Sequence, residues 1–136
     1  MVWTGPLEDR ILIRELLDSY ADAVSQRDAE AWGATWAEDS VWSLPVVEGM
    51  SEIRGKANIV AAWKQAMELF PFVQMIAVPG SIDIQGDRAY MRSYTAEVAV
   101  RDGKEIRPRG QYDDVCVKQN GKWLFEKRVF TVLYGE

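Results

Sequence analysis

Asn120-Gly121 sits between two runs rich in β-branched and aromatic residues, Arg109–Lys118 and Lys122–Tyr134. Asn-Gly readily takes the positive φ angles of a two-residue hairpin turn, so the spacing predicts an antiparallel pair. Both runs exceed ordinary strand length, so the hairpin should be long, twisted and curved. A curved sheet needs cover on its concave face, and the N-terminal half supplies helical periods that could provide it.

Before that hairpin, Phe72–Val78 and Ser81–Gln85 read as extended segments separated by a turn at Pro79-Gly80. Gly86-Asp87 turns into a long strand, Arg88–Arg101, and Asp102-Gly103 leads into a strand over Ile106–Lys118. Pro6, with Glu8 and Asp9 behind it, opens a helix over Leu7–Gln26, since Pro suits the first turn and acids suit the positive end of the helix dipole. Its apolar stripe is Leu12, Leu16, Tyr20 and Val24. Asp28 is a good N-cap for a second helix over Ala29–Trp36. Ser40–Leu44 alternates as a strand closed by Pro45, and Val46–Gly55 reads as a loop-and-strand crossover. Lys56–Leu69 reads as a third helix, stopped by Pro71. Helices followed by long antiparallel strands define an α+β fold with helices on one face of a bent sheet. The 136 residues suit a single domain, 1–136.

A net charge of −5 argues against nucleic acid as a partner. No apolar run is long enough to cross a membrane, and no signal peptide is expected. A cytoplasmic location is the default expectation for a chain with one cysteine. With no histidine, no metal site is expected, and acid–base chemistry must fall to carboxylates or phenols.

Alternation sets Gly110, Tyr112, Asp114 and Cys116 on one face of their strand and Gln111, Asp113, Val115 and Val117 on the other. On the neighbouring strand Arg128 could pair with Asp114. Glu97 shares a strand face with Met91, Ser93 and Thr95. If that face looks inward, Glu97 is a carboxyl in an apolar cavity with a raised pKa, able to shuttle a proton near neutral pH. If it looks outward, Glu97 is a solvated charge. Val98, Val100, Val115 and Val117 cannot all face one interior, so an apolar outer face and a homodimer or higher oligomer are expected.

Tyr20 to Asp28, the segment Trp36-Ala-Glu-Asp-Ser-Val-Trp42, and Gly110-Gln-Tyr-Asp-Asp114 followed by Asn120-Gly-Lys-Trp123 resemble the SnoaL-like branch of the nuclear transport factor 2-like superfamily. The resemblance implies a cone-shaped α+β barrel: three helices packed on a strongly curved, mostly antiparallel sheet. Within that branch the chain looks close to the scytalone dehydratases and lindane dehydrochlorinases, which pair an Asp on the first helix with a His on the strand after the third. Those positions fall here on Ser25 and Met75, so the dyad is absent. The base of the ketosteroid isomerases falls on Leu44. Tyr20 matches the isomerases' oxyanion-hole tyrosine. Their second oxyanion donor falls near Asp113, with Tyr112 and Asp114 as alternative registers. The SnoaL-like relatives place the Tyr112 and Asp114 face inside the cone.

The expected function is a cofactor-independent dehydratase, isomerase or cyclase acting on a small hydrophobic hydroxyl or carbonyl compound. Tyr20 and Tyr112 would polarise an oxygen, and Asp114 or Glu97 would move the proton. The expected cavity lining is Val24, Trp42, Leu44, Trp63, Phe72, Met75 and Tyr94, with Phe70 beside them and Arg128 in the wall. The alternative is a non-catalytic binding protein, or a structural subunit like the small subunits of ring-hydroxylating oxygenases.

Overall fold

A computed structural model of the chain describes residues 2–45 and 47–135. The elements run β1 (Trp3–Thr4), α1 (Leu7–Gln26), α2 (Ala29–Gly33), β2 (Trp36–Ser43), β3 (Ile53–Arg54), α3 (Lys56–Met67), β4 (Phe72–Gln85), β5 (Arg88–Arg101), β6 (Lys104–Ile106), β7 (Arg109–Gln119) and β8 (Lys122–Tyr134). Among the described residues one sheet has the order β1-β4-β5-β7-β8-β2-β3, with β6 on β5. Its pairings are antiparallel except β1–β4 and β2–β8. The sheet is curved but unclosed, so the barrel expected from the resemblance is an open cone, with three helices on the sheet. The fold class is α+β, as expected.

The hairpin forms where Asn120-Gly121 requires it. Asn120 and Gly121 have φ of 52° and 78°, both left-handed, as a two-residue hairpin turn of this kind needs. α1 keeps its expected bounds, with Pro6 as its N-cap residue. The Asp28 carboxylate accepts from the Ala31 N–H at 3.0 Å and caps α2.

Several boundaries moved; α3 ends at Met67, two residues short of Leu69, and the strand expected from Ser40 begins at Trp36. α2 stops at Gly33 instead of Trp36, because Thr35 and Trp36 are captured by β8. The Thr35 carbonyl accepts from the Phe125 N–H, and Trp36 lies opposite Phe125. The turn expected at Pro79-Gly80 is a bulge inside one continuous strand, with Pro79 opposite Ser93 and Ser81 opposite Arg92. Gly80 is the extra residue there, and a Cβ on it would fall 2.8 Å from the Tyr94 ring. The strand expected over Ile106–Lys118 is broken at Arg107-Pro108 into β6 and β7. The crossover strand is the short β3; Val46, within the expected crossover, lies outside the described residues. β1 had no distinctive sequence signal.

The core is built on rings. Trp32 stacks on Trp63 at 4.7 Å and meets Trp42 edge-on at 5.3 Å. Tyr20 packs against Trp32, Trp36 and Phe125. Rings of this size dominate the apolar area buried on folding, and their offset and edge contacts add stability. This cluster joins α1, α2 and α3 to the sheet and closes one end of the space between them. At the opening of α1, Asp9 accepts from Lys118 and from the Trp123 indole at 2.9 Å, which ties the helix to the hairpin.

Candidate active site

Between α1, α3 and the concave face lies a cavity of about 780 Å³. Tyr20 and Val24 reach it from α1, Trp42 and Leu44 from the end of β2, Trp63 from α3, Met75 from β4, Glu97 from β5 and Tyr112 from β7. Eight of the expected site residues therefore meet in one space. The volume suits a ligand of a few fused or linked rings.

Strand alternation puts these residues there. Met91, Ser93, Thr95 and Ala99 are buried on the concave side of β5, and Glu97 follows their period. On β7, Gly110, Tyr112, Asp114 and Cys116 face inward and Asp113 is exposed. That settles the register left open by the sequence, and Asp113 is outside. Gly110 has a specific reason to lack a side chain: a Cβ there would overlap the Phe130 ring, which packs on Tyr112 and lines the cavity.

The phenol end of the cavity is hydrogen-bonded. The Trp42 indole N–H donates to the Tyr112 oxygen at 3.1 Å, which leaves the Tyr112 proton available to Tyr20 or to an oxygen in the cavity. Burial pushes both the Tyr20 and Tyr112 hydroxyls up, and the nearby Arg128 charge opposes that rise. Neither is a base near neutrality; both are hydrogen-bond donors.

The Glu97 side chain has no hydrogen-bond or ion-pair partner among the described residues. Burial raises its carboxyl to about 7. It lies opposite Met75 in the β4–β5 ladder. A carboxyl that exchanges its proton near neutral pH inside an apolar wall is suited to general acid–base work.

Asp114 faces inward but does not line this cavity. Its oxygens accept from Arg128 Nε at 2.7 Å and Nη2 at 3.2 Å, and from the Ser93 hydroxyl at 3.0 Å. Burial pushes its carboxyl up, and the Arg128 charge pulls against it. With both oxygens occupied, Asp114 is poorly placed to move a substrate proton. Arg128 is 0% exposed and sits behind the rings, so it is no contact residue of the wall as expected.

Phe72 and Tyr94 correct the expected lining. They are 50% and 36% exposed and point to the convex side, because they alternate with the buried Val73 and Ser93. Phe70 lines the cavity as expected, and the places of Phe72 and Tyr94 are taken by Phe130 and by residues of the loop before β3, such as Met50. Phe130 could have been found from its two-residue offset to Arg128. The loop residues carried no periodic signal.

Ser25 and Met75 are neighbours. The Ser25 hydroxyl accepts from the Met75 N–H at 3.0 Å and donates to its carbonyl at 3.3 Å. The two positions that hold an acid–base pair in the dehydratases therefore meet here too, but as a bond between α1 and β4. Among the described residues, no group of three or more metal-ligating side chains gathers.

Solved structures share this architecture. Kfla4162 from Kribbella flavida is 20% identical and superposes with a TM-score of 0.86, over 95% of this chain and 93% of that one. A candidate scytalone dehydratase from Novosphingobium aromaticivorans is 19% identical, with a TM-score of 0.85 over 96% and 87% of the two chains. The type 3 hexachlorocyclohexane dehydrochlorinase LinA of Novosphingobium barchaimii is 17% identical, with a TM-score of 0.79 over 96% and 90%. At these identities the likeness is one of fold. No curated protein matches the chain. The model of the SnoaL-like domain matches residues 5–129, and this shows that the chain belongs to the SnoaL-like domain family.

Proposed function

We propose that the protein is a cofactor-independent enzyme that removes and returns a proton beside an oxygen of a small hydrophobic hydroxyl or carbonyl compound. The observation that carries this reading is Glu97: a carboxyl raised to about 7, without a charged partner among the described residues, in the wall of an apolar cavity that also holds two phenols. Solved structures of similar fold are described as a candidate scytalone dehydratase and a hexachlorocyclohexane dehydrochlorinase, names for losses of water and of hydrogen chloride, which agrees with it.

In a dehydration, the Glu97 carboxylate takes the proton α to a carbonyl. The electron pair moves onto the carbonyl oxygen, and Tyr20 and Tyr112 hold the enolate by hydrogen bonds. As the enolate collapses, the β-hydroxyl leaves with the proton from Glu97, as water. An isomerisation uses the same first step and returns the proton to another carbon.

The test is turnover of a panel of β-hydroxy aryl ketones, read as the absorbance of the enone. Glu97→Gln should lower turnover by about two to four orders of magnitude and remove one arm of the pH–rate profile. Tyr20→Phe should lower it by about one to three orders of magnitude. A folded Glu97→Gln variant with full activity on an identified substrate removes the assignment.

The Ser25–Met75 bond favours a second reading, a non-catalytic carrier of the same hydrophobic compounds. Tight binding by calorimetry without turnover of any bound compound would select it.

A further inference from the structure

Arg128 is buried in the fold, yet three aromatic faces surround it. Its guanidinium carbon lies 3.7 Å from the Tyr112 ring centroid, 4.1 Å from that of Phe125 and 4.4 Å from that of Tyr20. Nε and Nη2 are held by Asp114, and Nη2 also donates to the Ser93 hydroxyl at 3.0 Å. Nη1 is buried with no hydrogen-bond partner among the described residues. The ion pair is thus an oriented dipole. Its negative end is hydrogen-bonded on the Ser93 side, and its positive end is enclosed by rings, of which Tyr20 and Tyr112 also line the cavity.

We propose that Arg128 is a positioning residue that makes the Tyr20–Tyr112 end of the cavity a seat for an oxyanion, so that phenols and enols bind there with the proton removed. This deepens the function proposed above and rests on the reading that a reacting oxygen sits at that end. Stacking on the guanidinium fixes both rings, and the positive charge strengthens their hydroxyls as donors. Asp114 compensates the charge on the Nε and Nη2 side, and the apolar surroundings leave the Nη1 end, which Asp114 does not touch, less screened. Asp114 takes part only by holding Arg128. Ser93 serves both of them, which accounts for a buried hydroxyl in the middle of β5.

The probe is 4-nitrophenol, whose ionisation is visible in its absorbance, with 4-nitroanisole as a partner of similar shape that cannot ionise. Bound to the wild-type chain, 4-nitrophenol should lose its proton at a lower pH than in water. An apolar cavity without the Arg128 field would shift it the other way, and that result, or no binding of 4-nitrophenol, overturns the proposal. In the double variant Arg128→Gln with Asp114→Asn, both charges go while hydrogen-bonding groups remain. Affinity for the nitrophenolate should fall about tenfold, with that for 4-nitroanisole unchanged. Equal losses for both ligands, or no loss for either, count against Arg128. Glu97→Gln should keep the phenolate preference, so failure of the proton carrier and failure of the oxyanion seat are read separately.

Discussion

Asp114 and Glu97 are both carboxyls on the concave face of the sheet, and the structure puts them to opposite uses. Asp114 has Arg128 and Ser93 on its oxygens, lies off the cavity and helps hold two phenol rings in place. Glu97 has no partner among the described residues, lines the cavity and keeps a proton to near neutral pH. The difference shows that an inward-facing acid is defined by what surrounds its oxygens. A paired one stiffens the fold, and an unpaired one is available for chemistry.

The comparison breaks most visibly at the pair. Arg128→Met leaves the Asp114 charge buried without its counter-ion, and should lower unfolding free energy by about 3–5 kcal/mol in urea titration. An unchanged midpoint would mean that the pair carries no structural weight.

Glu97→Gln should do the opposite, with a pH signature. The folded state raises this carboxyl, so folding favours its protonated form. The resulting penalty is absent below the unfolded pKa, grows as pH rises from about 4.5 to about 7, and is complete above that. Glu97→Gln should therefore gain up to about 3 kcal/mol at about pH 8 and nothing below about pH 4. Parallel melting curves across that range would remove the contrast with Asp114.

A smaller effect sharpens the comparison at Ser25. Ser25→Ala removes two bonds to the Met75 backbone beside Glu97, and should lower stability by about 1 kcal/mol. The pH dependence that Glu97 contributes should remain. Its loss in Ser25→Ala would show that the β4 wall, rather than burial of Glu97 as such, sets the carboxyl.

The convex face supplies the smallest effect on the single chain. Ile76 there is 60% exposed, beside Phe72 and Val78. Ile76→Lys should change monomer stability by less than about 0.5 kcal/mol. If copies of the chain associate through this face, the same change should lower the sedimenting mass. A wild-type chain that sediments only as monomer at micromolar concentration ends that expectation.

The hairpin at Asn120-Gly121, the bounds of α1, the Asp28 cap and the shared face of Tyr112 and Asp114 were legible from local chemistry, while the resemblance supplied that this face looks inward. Positive φ, capping and a period of two act over a few residues, and the chain carries them wherever it folds. The period also put Glu97 on the same side as Met91, Ser93 and Thr95, though not which side that was. Partners separated by many residues were a different matter. The end of α2, the bulge at Gly80, the outward turn of Phe72 and Tyr94, and the meeting of Ser25 with Met75 depend on which strand or helix lies opposite. The sequence offered Arg128 as a neighbour for Asp114, and the pair forms. Only the tertiary structure decided that Glu97 lines the cavity with no partner among the described residues, because the energy of a carboxyl in an apolar wall is set by groups brought to it through space.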